Sequence, residues 1–183
     1  MMGRDNDLVD ETYFESTDPM PRGGFDASLL SEPVSVLRVR KAIVLATSAT
    51  VTEAMRAMQR GHTGCIVVTE DGSDQSPVTG IFTERDVLFR IVDRGRNPAQ
   101  LPLSDVMTPN PETLWVRSAV AYALNKMSVG GFRHIPVVDD ENRPAFVVSV
   151  RDVVEYLVEA FPREILNLPP EEEIRPQKAR EGA

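Results

Sequence analysis

"GIFTERD", residues 80–86, runs from a short apolar strand into Thr83-x-x-Asp86 and then straight into a helical pattern. Sixty-six positions later "FVVSVRD", residues 146–152, makes the same strand-to-helix corner with Ser149-x-x-Asp152. A corner that occurs twice points to an internal repeat, and the flanks supply one. "SATVTEAMRAM" (48–58) aligns with "RSAVAYALNKM" (117–127). Val51, Ala54, Met55 and Met58 then match Val120, Ala123, Leu124 and Met127, one apolar stripe on each of two helices. "GCIVVTED" (64–71) aligns with "HIPVVDDE" (134–141), a short β-branched strand closed by acidic turn residues. "VTGIFTERDVLFRIV" (78–92) aligns with "PAFVVSVRDVVEYLV" (144–158), a strand followed by a second helix. The first copy carries the longer hairpin loop, "EDGSDQSP" against "DDENRP".

Each copy therefore reads strand, helix, strand, strand, helix over about sixty residues, which predicts an α/β fold. One such unit alone is marginal at that size, whereas two packed together share a core. The boundaries expected from this pattern are 36–96 and 101–161, joined through "VDRGRNPAQLPLSDVMTPNPE". Residues 1–33 are acidic and lack apolar periodicity, and are expected to form a disordered or loosely docked arm. Residues 165–183 read as a flexible tail, because "LPP" stops the preceding helix.

The formal net charge of −8 sits at the ends, −6 over residues 1–33 and −2 over residues 164–183. The repeats themselves are neutral, so no basic face recommends nucleic acid as a partner. The apolar runs are too short to span a membrane. The first residues lack a secretory signal, and the single cysteine, Cys65, has no partner for an internal disulfide. These features suggest a soluble protein of the reducing cytoplasmic compartment.

The repeat resembles a tandem pair of CBS motifs, the cystathionine-β-synthase-type regulatory (Bateman) module. The resemblance covers roughly Val36 to Phe161. It is carried by "VMTPNPETL", "EAMRAM" and "YALNKM", "FRHIPVVDD" and the doubled glycine-apolar-x-Thr/Ser-x-x-Asp corner. The first copy departs in having "SVLRVRKAI" in place of a "VMTP"-like lead. The second has Phe146 where the first has Gly80. The resemblance implies two β-α-β-β-α motifs related by a pseudo-twofold axis. It also implies pairing into a homodimer through the faces of "VLFRIV" and "VVEYLVEAF".

Two readings of the corner stay open. Thr83 with Asp86, and Ser149 with Asp152, fit a capping box that stabilises a helix start by about 1 kcal/mol. The resemblance adds an adenine nucleotide (AMP, ADP or ATP) in the cleft between motifs, its ribose hydroxyls on the Asp and its ribose or phosphate on the Thr or Ser. A carboxylate suits a vicinal diol, and a helix N-terminus favours an anion. Gly80 would let the base approach, and Ile81 and Val137, with Ile43 and Val44, would line it.

Arg133 and His134 would face the phosphates, with uncharged Thr63 and Gly64 at the matching positions of the first copy. The expected stronger site is therefore Thr83, Asp86, Arg133 and His134; the weaker is Ser149 and Asp152. Arg133 reads equally as a surface arginine, and His134 as a strand-edge histidine. Arg85 and Arg151 either reach a phosphate or form surface ion pairs. Trp115 is a packing residue or lies at the cleft or a dimer contact.

A metal site from His62, Cys65 and His134 fails on ligand count, and no metal is required. No nucleophile and base stand at a meaningful spacing, so the expected function is non-enzymatic. It is a regulatory module that binds an adenine nucleotide and signals to an unknown effector protein. The alternatives are a ligand-free structural or dimerisation module, and less plausibly an enzyme acting on a nucleotide.

Overall fold

The computed structural model describes residues 27–161. The first motif runs β1 (Val44–Ala46), α1 (Val51–Gly61), β2 (Cys65–Thr69), β3 (Val78–Thr83) and a helix α2 that opens at Glu84–Asp86. This last helix continues through Val87–Val92 with wide π-type turns, Asp93 N–H donating to the Leu88 carbonyl at 3.0 Å. After the connector come β4 (Thr108–Pro109), β5 (Leu114–Trp115), α3 (Val120–Gly130), β6 (His134–Val138), β7 (Pro144–Ser149) and α4 (Val150–Ala160). The strand, helix, strand, strand, helix order expected from the repeat is present in both halves.

Helix starts follow from local chemistry. Thr50 caps α1 reciprocally with Glu53, and Thr83 and Ser149 do the same with Asp86 and Asp152. Ala119 at the start of α3 offers no side-chain cap. Helix α1 ends on His62 and α3 on Gly131, both with positive φ, which frees their last carbonyls for capping bonds.

The strands form two sheets, ordered β1-β2-β3-β4 and β5-β6-β7. The leading segments cross over. Residues of "VMTP" pair with the first motif, Pro109 opposite Gly80, while Lys41 bridges to Phe146 of the second. Two cores result. Val51, Ala54, Met58, Ile66, Phe82 and Leu103 fill one; Leu114, Val120, Ala123, Ile135, Val137 and Val153 fill the other. Val67, Val78 and Val138 join the sheets between them. Each fully buried aliphatic side chain contributes about 1.5–3 kcal/mol, so this seam fixes the two motifs against each other.

Two expectations need correction. Residues 27–33 are not part of a loose arm: Ala27–Ser31 forms a 3-10 turn, Leu30 packs on the second core, and Val120 N–H donates to the Glu32 carbonyl. Residues 1–26 and the expected tail 165–183 lie outside the described residues.

The middle strands are also offset by one from the sequence alignment. Cys65 pairs with Thr83 and His134 with Ser149, so Cys65 matches His134, Gly64 matches Arg133, and Val67 matches Pro136. The reason is that β2 is buried on both faces. A strand without alternating polarity carries no sequence mark of its register.

Candidate functional site

The two corners share one hydrogen-bond scheme. At the first, Asp86 Oδ2 accepts from the Thr83 N–H and hydroxyl, both at 2.8 Å. At the second, Asp152 Oδ2 accepts from the Ser149 N–H and hydroxyl, both at 2.6 Å. The capping box is therefore real in both copies, and it engages one carboxylate oxygen in each.

The second oxygen distinguishes them. Asp86 Oδ1 is ion-paired with Arg90 Nε at 3.1 Å, and Asp86 is 8% exposed. Arg90 is held in turn by the Val106 carbonyl at 2.6 Å and the Thr108 hydroxyl at 3.0 Å. Asp152 Oδ1 has no hydrogen-bond or ion-pair partner among the described residues, and Asp152 is half-buried. It opens into a groove of about 140 Å³ lined by Val36, Arg38, Glu155, Tyr156 and Glu159. Arg38 reaches Glu159 across the exposed rim at 3.0 Å. Tyr156 occupies the position that Arg90 holds in the first copy, and its hydroxyl donates to the Leu29 carbonyl.

The remaining sequence candidates fall as follows. Gly80 is buried, and the Met107 side chain fills the space over it and leaves no room for an added Cβ. Its missing side chain thus serves strand packing against the "VMTP" segment. Val137 is fully buried in the second core and presents no surface to a base, which corrects its expected lining role. Ile81 is buried too, Ile43 packs on the first core, and Val44 packs on the seam. Arg85 donates to the Gly131 carbonyl at 3.3 Å, tying the first corner to the end of α3. Arg151 is exposed and paired with Glu155 at 2.7 Å.

The carbonyl of Arg133 accepts from the Val150 N–H, which places its backbone beside the Asp152 corner, and its exposed guanidinium has no ion pair among the described residues. The His134 ring lies over Gly64, close to the Glu84 carboxylate. Burial, then the Arg133 charge, hold the His134 pKa below the usual imidazole value, with Glu84 and Asp152 opposing. Glu84 and Arg85 of the first motif thus meet the 131–134 stretch of the second. No hydrogen bond or ion pair joins Asp86 to Arg133 among the described residues.

Sequence reasoning missed Arg90, Arg38 and Tyr156. Arg90 had a signal, since it lies four residues after Asp86 on a helix. Arg38 and Tyr156 had none short of knowing that the leading segment crosses to α4.

Among the described residues, no helix is long and apolar enough to cross a membrane, and no cluster of three or more His, Cys, Asp or Glu is placed to hold a metal.

Comparison with known proteins agrees with this architecture. A CBS domain-containing protein of Arabidopsis thaliana is 30% identical over 130 residues, covering 71% of this chain. That match takes in 23% of the relative, so this chain spans about a quarter of its length. A mitochondrial CBS domain-containing protein of the same plant is 32% identical over 162 residues, covering 84% of this chain and 77% of the relative. Among solved structures, a CBS domain protein from Pyrobaculum aerophilum complexed with AMP superposes with a TM-score of 0.62 at 25% identity, over 69% of this chain and 96% of that one. The CBS domain family model matches residues 34–93 and again 103–159, and the chain belongs to the CBS domain family as a tandem pair.

Proposed function

We propose that this CBS pair binds an adenine nucleotide with its ribose on Asp152, and that binding regulates a separate effector protein. The observation that carries the reading is the Asp152 carboxylate at the N-terminus of α4, which lines a groove and whose Oδ1 has no hydrogen-bond or ion-pair partner among the described residues. A carboxylate oxygen with free lone pairs accepts from a ribose hydroxyl, and the first N–H groups of a helix favour a nearby anion. The Pyrobaculum relative, solved complexed with AMP, supports the choice of ligand class. Sequence reasoning favoured the Asp86 corner; the Arg90 ion pair is the reason for preferring Asp152.

The groove is smaller than the ~300–1,000 Å³ of enclosed ligand pockets, so it accommodates part of a nucleotide and leaves the rest in open surface. Its lining holds three carboxylates, Asp152, Glu155 and Glu159, against one guanidinium, Arg38. That excess repels added phosphate charge, while Arg38, on leaving Glu159, and the nearby Arg133, without an ion pair among the described residues, would meet one phosphate. AMP is therefore expected to bind more tightly than ADP, and ADP more tightly than ATP.

Ligand bridging the leading segment and α4 would favour one arrangement of the two motifs, a population shift that needs no catalysis. The exposed Leu88, Phe89 and Val92 on the helix after the first corner form the proposed homodimer face.

A thermal-shift panel with AMP, ADP, ATP, S-adenosylmethionine and NAD tests the ligand. At a hundred times its dissociation constant a ligand adds about 2.7 kcal/mol of stability. A shift with AMP that Asp152→Asn removes supports the reading. A flat panel would leave both corners as helix caps and favour the structural interaction module.

A further inference from the structure

We propose that Arg90 closes the Asp86 corner to ligand and so limits the module to one adenosyl ligand per chain. The inference rests on the reading of Asp152 as the ribose site.

A carboxylate offers about four lone-pair sites. At Asp86, two on Oδ2 receive the Thr83 N–H and hydroxyl, and one on Oδ1 receives Arg90 Nε. One remains, whereas a ribose diol brings two donors. At Asp152 nothing among the described residues donates to Oδ1. The chemistry of the corner is the same in both copies, and the difference lies in what meets the second oxygen.

Arg90 is not a mobile surface cation. Its three kinds of guanidinium nitrogen have separate partners: Nε on Asp86 at 3.1 Å, one terminal nitrogen on the Val106 carbonyl at 2.6 Å, and the other on the Thr108 hydroxyl at 3.0 Å. A planar fork held at three points loses all of them together when it swings away. Two of those partners belong to the "VMTP" segment, which pairs with β3 at Gly80 and Ile81. Met107 from the same segment fills the space over Gly80. The segment and the arginine therefore cover the first corner jointly. The second copy has Tyr156 in place of Arg90, and its hydroxyl is turned to the Leu29 carbonyl rather than to Asp152.

Calorimetry with AMP on the full-length protein tests this, beside the Nε–H resonance of Arg90 followed by NMR. The expected result is one AMP per wild-type chain and an Arg90 resonance that AMP leaves in place. Arg90→Ala should bind two, and the double variant Arg90→Ala/Asp86→Asn should return to one. Two AMP per wild-type chain, or an Arg90 resonance displaced by saturating AMP, overturns the proposal even if Arg90→Ala fails to fold. A folded Arg90→Ala that still binds one also overturns it. Wild-type protein that binds no AMP sinks the ligand reading itself, a different failure from binding two.

Discussion

Cys65 gives a quantitative test of how tightly the start of β2 is closed to water. It opens β2 with 2% of its surface exposed. Burial pushes its thiol from 9.0 up to about 12; a hydrogen bond to Thr63 opposes this, and the charges of Asp152 and Glu84 add to it. A thiol whose pKa is raised by folding stays neutral in the native state after the unfolded chain has begun to ionise. Its contribution is therefore intact below pH 9 and is lost as pH rises from there toward 12. At about pH 10.5 the unfolded thiol lies about one and a half pH units above its own pKa, so the native state gives up about 2 kcal/mol. That is a large share of the 5–15 kcal/mol typical of a whole domain. Urea unfolding followed by circular dichroism at about pH 8 and about pH 10.5, on wild type and Cys65→Ala, isolates the effect. The alanine variant loses some stability to a small cavity, but that loss does not depend on pH. Tyrosines and lysines titrate in both proteins and cancel in the difference. Wild type should lose about 2 kcal/mol more than the variant between the two conditions. Equal losses would mean that the native thiol ionises freely, and the burial argument would fail.

Burial and Arg133 hold the His134 pKa below the usual imidazole value, so the unfolded chain takes up the proton first and stability should fall as pH drops below about 6.5. His134→Gln should flatten the melting temperature between about pH 5 and 7. Helix α3 starts on Ala119 without a side-chain cap, so Ala119→Ser should raise stability by about 0.5–1 kcal/mol in chemical denaturation. Phe89, 61% exposed beside Leu88 and Val92, should anchor the proposed dimer, and Phe89→Glu should give a monomer by sedimentation while leaving the circular dichroism spectrum unchanged.

What the sequence made legible follows from where its patterns are periodic. The stripes of α1 and α3 and the doubled corner are regular enough to place helices, strands and the repeat itself. The register of β2 against β6 was not legible, because "CIVV" is buried on both faces and reads alike at either offset. Residues 27–33 look like linker by composition, yet they dock through the backbone bond from Val120 to Glu32 and the bridge of Pro33 to Ala119, which leave no trace in residue type. Trp115 lies in β5 and is half exposed rather than packed, with Arg117 stacked 4.2 Å above its ring. The chemistry of the corner was readable as a pair of alternatives, cap or ligand. What Asp86 and Asp152 face was only half readable: Arg90 stands four residues after Asp86 on its own helix, whereas Val106 and Thr108, which fix that arginine, and Arg38, which edges the groove at Asp152, arrive through the crossing of the leading segments.

That crossing also removes the conflict between the two readings. A carboxylate has two oxygens, and the cap uses one. In both copies Oδ2 closes the capping box, which is reason enough for a hydroxyl and an acid three residues apart. The same bonds fix the carboxylate, so Oδ1 is left to whatever stands beside the corner. In the first copy that is the Arg90 guanidinium, tied to the "VMTP" segment; in the second it is a groove edged by Arg38. Capping is thus the condition for a positioned acceptor rather than its rival. A duplicated corner can keep its folding role in both copies while the second oxygen serves as an internal lock in one and, on the reading proposed here, as the ribose acceptor in the other.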